Sequence, residues 1–284
     1  MRFHTPLRYP GGKGKFAPFI KSLIEVNGLR GGHYLELYAG GAGVALELLF
    51  KEHVSDIHIN DLDPAVAAFW QASVELTDEL ITKIREVDIT IDNWHYYKSI
   101  MEDNDNNDIL ERGFATFYMN RCNRSGILKA GVIGGKTQSG DWKLDARFKK
   151  ENLIPRFEKI KQYKDRIHVY SEDAKDLLIR CDEILPTKNS LIYLDPPYYV
   201  KGQGLYRNFY NHQDHIDIKE TLDKIEFPWL VSYDNAPEIR SIYQGYRTQT
   251  HILTYTAQEK KLGDEILFFS KGLEIPRKGL RQTA

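Results

Sequence analysis

The apolar run Ser190-Leu191-Ile192-Tyr193-Leu194 ends in Asp195-Pro196-Pro197-Tyr198-Tyr199, a carboxylate followed by two prolines and two aromatic rings. Such a run reads as a buried strand of a parallel sheet, covered on both faces. The C-terminal ends of these strands are where parallel sheets hold ligands. Pro196 and Pro197 fix two φ angles and remove two backbone donors, so the chain leaves the ladder and Asp195 sits on a stiff turn. Taken alone, the turn either aims a carboxylate at a bound molecule or merely ends a strand with an Asp in a capping role.

Two further stretches carry chemistry of a complementary kind. Tyr34-Leu35-Glu36-Leu37-Tyr38-Ala39-Gly40-Gly41-Ala42-Gly43 reads as a strand, a glycine turn and a helix start. Glycines let the backbone approach a ligand, and the helix start offers unpaired N–H groups. About 20 residues beyond the glycines, Asn60-Asp61-Leu62-Asp63 ends a second run, where a carboxylate can accept from both hydroxyls of a ribose. The pair suits a nucleotide or nucleoside, although the spacing is not G-x-G-x-x-G. Near the start, Arg8-Tyr9-Pro10-Gly11-Gly12-Lys13-Gly14-Lys15 places a ring and cations around a tight turn. It lacks the G-x-x-x-x-G-K-[ST] pattern and a preceding strand, which excludes a nucleotide-triphosphate loop. Cys122 and Cys181 are far apart with no metal spacing around them, so neither a disulfide framework nor a metal site is expected.

The elements that must position these groups follow from hydrophobic period. Strand-like runs occur at 33–40, 56–63, 166–173, 190–197, 229–235, 250–255 and 265–270, with helical patterns at 43–53, 173–184 and 215–226. Strand–helix–strand alternation predicts an α/β fold with a largely parallel sheet, its last two strands forming an antiparallel hairpin at the edge. Between Pro64 and Asp165 the alternation stops and helical patterns take over, around the glycine-rich stretch SGILKAGVIGGKTQSGDW. The expected division is a sheet domain from 1–63 and 166–284, interrupted by a helical insertion over 64–165, with the polar stretch EDNDNNDI as a joint.

A net charge of −1 over 284 residues conceals a split. Glu75 to Glu111 holds 11 acidic and 3 basic residues, whereas Arg112 to Arg166 holds 14 basic and 5 acidic, a swing from −8 to +9. The basic stretch fits either a local phosphate-binding surface or a solvated helix face. No run of ~18 apolar residues suggests a membrane span and no apolar leader opens the sequence, so the protein is expected in the cytoplasm with no membrane partner.

Taken in order, YPGGK, ELYAGGAG, INDLD, FYMNRCNRSG, YSEDA, LDPPYY and SYDN resemble the Dam-like (D12 class) DNA adenine-N6 methyltransferases, over nearly the whole chain. The resemblance implies a Rossmann-like methyltransferase sheet with an inserted DNA-recognition domain, S-adenosylmethionine as cofactor, no metal, and site-specific methylation of adenine N6 in double-stranded DNA. It implies that Tyr9, Lys13, Asp61 and Asp195 contact the cofactor, with Glu36, Tyr38, Gly40, Gly41 and Gly43 beneath its methionine and ribose and Asp173 near its adenine. Asp195 and the Pro196 carbonyl would accept the two amino hydrogens of the target, favouring a pyramidal nitrogen with its lone pair aimed at the methyl group. Pro197 stiffens the turn, and Tyr198 would stack on a base flipped out of the helix. Tyr199, Tyr206, Phe209 and Tyr210 follow in a loop that closes over the base or packs on the sheet.

The basic stretch then becomes a DNA face, with Arg124 foremost and Arg121, Asn123, Lys129, Lys136 and Gln138 beside it. Asn120 and Arg121 have an equal claim to a purely structural role at a helix end. The stretch from Cys122 to Trp142 departs from that of GATC-specific members, so no target sequence carries over. Methylation of cytosine N4 or RNA adenine, or silent DNA binding without turnover, are the competing readings. Oligomeric state, a restriction–modification partner and a cellular or viral source are not encoded in these motifs.

Overall fold

The computed structural model describes residues 4–9, 13–103, 108–186, 188–200, 210–255 and 261–276. In chain order its elements are α1 (Ala17–Val26), β1 (His33–Glu36), α2 (Gly43–Phe50), β2 (Asp56–Asn60), α3 (Pro64–Glu75), α4 (Thr77–Glu86), α5 (Ile91–Glu102), α6 (Ile109–Cys122) and α7 (Lys150–Gln162). Then come β3 (Ile167–Tyr170), α8 (Ala174–Ile179), α9 (Cys181–Ile184), β4 (Leu191–Leu194), α10 (His212–Leu222), β5 (Trp229–Asp234), α11 (Pro237–Ile242), β6 (Arg247–Tyr255) and β7 (Lys261–Phe269). They divide into two compact units: a sheet unit, Lys13–Asp63 with Tyr170–Ala284, and a helical unit, Met1–Gly12 with Pro64–Val169.

The seven strands lie in the order β3-β2-β1-β4-β5-β7-β6. Strand β1 runs parallel to β2 and β4, β4 runs parallel to β5, and β7 is antiparallel to both β5 and β6. This is a Rossmann-like α/β sheet with the expected edge hairpin, β7 lying against β5. Strands β4 and β5 are buried at every position, which is why their sequences show no alternation. From β1 the chain steps outward to β2 and β3, then returns to β4 on the other side of β1. Successive connections therefore leave in opposite directions at the C-terminal ends of β1 and β4, opening a crevice there.

The helix expected over 173–184 breaks at Arg180 into α8 and α9. Pro237, pre-set for a first helical turn, starts α11, for which the sequence reading assigned no helix.

In the helical unit α3 and α6 cross closely. A Cβ on Gly113 would stand 2.7 Å from both the Ala68 carbonyl oxygen and the Ala72 Cβ, so a glycine is what lets the two backbones approach. Around the crossing Phe69, Phe117, Phe157 and Phe148 stack edge to face, an arrangement that aromatic quadrupoles favour. The segment 4–9, expected with the sheet, belongs to this unit instead. It has no strand to pair with, and the buried Asn120 takes both of its backbone groups at Arg8, accepting from the amide at 2.8 Å and donating to the carbonyl at 2.9 Å. The glycine-rich stretch forms a loop with a single antiparallel bridge, Asn123 to Val132. Residues 104–107 of the acidic joint lie outside the described residues.

Candidate active site

Glu36 closes β1 and its side chain turns under the start of α2, where Oε2 accepts from the Ala45 amide at 3.1 Å. Burial pushes this carboxyl up to about 8; the Ala45 bond opposes the shift and the charge of Asp195 adds to it. The glycine turn runs through two left-handed residues, Gly40 (φ 45°) and Ala42 (φ 44°). Glycine adopts that conformation freely, whereas alanine gives up about 1 kcal/mol there, a local strain that sets the entry angle of α2. Asp61 fastens the turn from β2: Oδ2 accepts from the Gly40 amide and Oδ1 from the Asp63 amide, both at 2.9 Å. Burial raises its pKa to about 6 against the pull of those two bonds. Asn60, fully buried, donates to the carbonyls of Leu37 and Glu172 and accepts from the Glu172 amide, locking the ends of β1 and β2 to the segment after β3.

At the end of β4, Asp195 Oδ1 accepts from Ser232 Oγ at 2.7 Å and lies 3.3 Å from Lys13 Nζ, with the side chain 21% exposed. Lys13, 4% exposed, also donates to Glu265 Oε1 at 2.6 Å and to the Tyr198 hydroxyl, which in turn donates to Glu265. Burial lowers the Lys13 pKa and the two carboxylates more than reverse it, so the amine stays charged. Asp195 is raised by burial and by Glu265, and held back by Lys13 and Ser232. The turn that carries Asp195 is anchored from below by Asp234, which ends β5: its two oxygens accept from the Tyr199 and Val200 amides, each at 2.9 Å. Asp234 and Glu265 are register partners across β5 and β7. Two like charges facing across a ladder destabilise it unless each is compensated. Here one is matched by Lys13 and the other by two backbone N–H groups.

Lys13, Asp195 and Tyr198 are thus brought into one buried cluster, and Gly40 is joined to Asp61. Pro196 is buried and Pro197 half-buried on the same turn. Gly41 and Gly43 flank Ala42 at the start of α2. Tyr38 meets Tyr210 hydroxyl to hydroxyl at 2.8 Å. Asp173 caps α8, accepting from the Lys175 amide at 2.8 Å. Tyr199 packs on His215, with ring centres 5.4 Å apart, while Tyr206 and Phe209 lie outside the described residues. Glu265 was not legible because an acid at the head of an apolar run looks like a strand boundary. The signal was direction: an antiparallel strand brings its early residues to the edge where the parallel strands end.

Tyr9 and the residues singled out for DNA lie in the helical unit. Asn123 is fully buried, accepting from Trp94 Nε1 at 2.7 Å and donating to the Ile127 and Leu128 carbonyls. Gln138 stands in a left-handed turn and spends its amide on the Ile133 and Gly135 carbonyls and the Leu144 amide. These two pin the loop, and Arg124, Lys129 and Lys136 are exposed on it. Arg121 is 6% exposed and donates to the Pro6 carbonyl. Among the described residues no group of three or more acids, histidines or cysteines is placed to hold a metal, and no helix is long and apolar enough to cross a membrane.

The sequence model of the D12 class N6 adenine-specific DNA methyltransferases matches residues 9–260. None of the curated proteins matches the chain. Among solved structures, it is similar to a Pyrococcus horikoshii protein assigned as an RNA methyltransferase, at 10% identity and a TM-score of 0.43, covering 93% of this chain and 87% of that one. It is also similar to the rRNA methyltransferase AviRa from Streptomyces viridochromogenes, at 9% identity and a TM-score of 0.33, covering 84% and 76%.

Proposed function

Because the chain belongs to the D12 class N6 adenine-specific DNA methyltransferases, enzymes that use S-adenosylmethionine, we propose that it methylates N6 of an adenine flipped out of duplex DNA at a specific site, with Asp195 at the reacting nitrogen. A buried carboxyl at the end of β1 and half-buried ones at the ends of β2 and β4 suit a cofactor that carries a sulfonium and an ammonium, since each would gain from a cation beside it. Glu36, Asp61 and Asp195 are those groups, with Tyr38 and the Gly40 to Gly43 turn forming the surface beneath, and Tyr9 and Asp173 as further contacts. When bound, the cofactor supplies an electrophilic methyl group.

The rest is done by the chain. An exocyclic amine is a poor nucleophile because its lone pair is delocalised into the ring. Asp195 and the Pro196 carbonyl accept its two hydrogens, which favours a pyramidal nitrogen. Both observed contacts of Asp195 fall on Oδ1, which leaves Oδ2 for the amine. Lys13 offsets part of the cost that burial and Glu265 place on that carboxylate's charge and Ser232 fixes its rotamer, so little reorganisation accompanies the reaction. As the N–C bond forms, the amino proton becomes acidic and passes to Asp195 or water. Tyr198, tethered through its hydroxyl to Lys13 and Glu265, presents its ring to the flipped base.

The observation that carries this reading is the fixed position of Asp195 on a proline-stiffened turn, held by three separate elements. The test supplies cofactor with unmethylated duplex DNA, single-stranded DNA or RNA, digests the product to nucleosides and weighs them. N6-methyladenine from the duplex is the expected result; methylated RNA or N4-methylcytosine alone would overturn it.

A further inference from the structure

Three arginines of the helical unit meet at segment 4–9, and a fourth, Arg147, whose guanidinium lies over the Trp142 ring at 5.9 Å, is near enough for its charge to act on Arg8 and Arg121. Arg121, at the end of α6, donates to the Pro6 carbonyl, and Arg156, from α7, donates through Nη1 to the neighbouring carbonyl of Thr5 at 2.5 Å. Two residues on, Arg8 is clasped at its backbone by Asn120, the neighbour of Arg121. Arg147 precedes Phe148, whose ring packs on Phe117 at 5.2 Å, and the guanidinium of Arg121 lies over that same Phe117 ring at 5.9 Å. Burial, then the positive charges of Arg156, Arg8 and Arg147, lower the Arg121 pKa to about 9, and among the described residues no carboxylate is a leading offset to them.

Among the described residues, two donors of this cluster meet no acceptor. Arg121 Nε and Arg8 Nη1 are both buried and, among the described residues, unpartnered, although Arg121 is 94% buried. A protein that only needed to hold segment 4–9 would not gather four like charges and leave N–H groups unsatisfied in its interior. Guanidinium forks match the oxygens of a tetrahedral anion, and several of them close together make a site for a charge that none of the described residues supplies.

We infer that Arg8, Arg121, Arg147 and Arg156 form an oxyanion site that takes one phosphodiester of the DNA backbone. This rests on the proposed action on duplex DNA; inorganic phosphate has the same tetrahedral oxygens and serves as the probe. Such a contact fixes register without reading sequence.

The test uses the full chain and Arg147→Gln, an exposed position that leaves the core intact, with Lys188→Gln in the sheet unit as a control. Inorganic phosphate is titrated against chloride at constant ionic strength while the melting temperature is followed. Binding to an unrelated duplex is then measured from ~50 to 200 mM salt. Phosphate should raise the melting temperature of the unaltered chain and of Lys188→Gln, and Arg147→Gln should lose most of that shift. The slope of log affinity against log salt should fall by about 1 in Arg147→Gln only. A shift equal in all three proteins overturns the site. A phosphate shift lost in Arg147→Gln with an unchanged DNA slope overturns the assignment to DNA and leaves a free anion as its ligand. Should the protein methylate no DNA at all, the phosphate titration still judges the cluster by itself.

Discussion

Asp234 never touches the reacting atoms, yet the geometry makes it as necessary as a residue that does. Hydrogen bonds to a charged acceptor are each worth about 1.5–3 kcal/mol, and this carboxylate makes two, to the turn that positions Asp195. Asp234→Asn replaces one acceptor with a donor aimed at another donor. We expect kcat for methyl transfer to fall by about 10–100-fold, with KM for cofactor changed less than threefold; a loss confined to KM contradicts the positioning role. The buried carboxyls give a second expectation. Glu36 ordinarily titrates at 4.5 and stands at about 8 in the fold, so the folded state favours its neutral form. That stabilisation is complete below 4.5 and is lost as pH rises through 8. A cationic cofactor favours the ionised form, so its affinity should rise by roughly tenfold between pH 6.5 and 8, and Glu36→Gln should flatten the rise. Calorimetric titration across that range checks both; a pH-independent affinity in the unaltered chain contradicts the role given to Glu36.

Helices and strands report how far local pattern reaches. Strands β4 and β5 were legible because burial on both faces removes the alternation of apolar and polar residues, and the turn after β4 because proline has few conformations open to it. The break between α8 and α9 was not legible, since apolar spacing continues across Arg180. The close crossing of α3 and α6 was also hidden, because a single glycine in a helical pattern carries no label saying what approaches it. Gly113→Ala gains up to ~1 kcal/mol of helix propensity, but the new methyl meets a backbone carbonyl that cannot swing aside, an overlap worth about 1–3 kcal/mol. The overlap should win: thermal unfolding is expected several degrees lower in Gly113→Ala, and an unchanged or higher midpoint contradicts the account of the crossing.

Across the whole molecule the sequence signal was strongest where one chemistry demands several residue types in a fixed order. Lys13, Asp195 and Tyr198 lie far apart in the chain and meet in one buried cluster. Glu265, which completes that cluster, was hidden because its role depends on strand pairing, a long-range property that no local window shows; Asp234 was legible within the SYDN motif, and only its bonds to the Tyr199 and Val200 amides were not. In the helical unit the reverse happened. Asn123 and Gln138 read as DNA-facing polar residues, and their side chains are spent on the loop's own backbone. They remain proposals for DNA only through the shape they give to Arg124, Lys129 and Lys136. The central claim is that Asp195 acts on the amine. The most direct measurement is single-turnover methyl transfer to unmethylated duplex DNA at saturating S-adenosylmethionine, comparing the unaltered chain with Asp195→Ala. A drop of roughly 10³-fold with cofactor still bound is the predicted result; transfer within tenfold of the unaltered rate contradicts the mechanism.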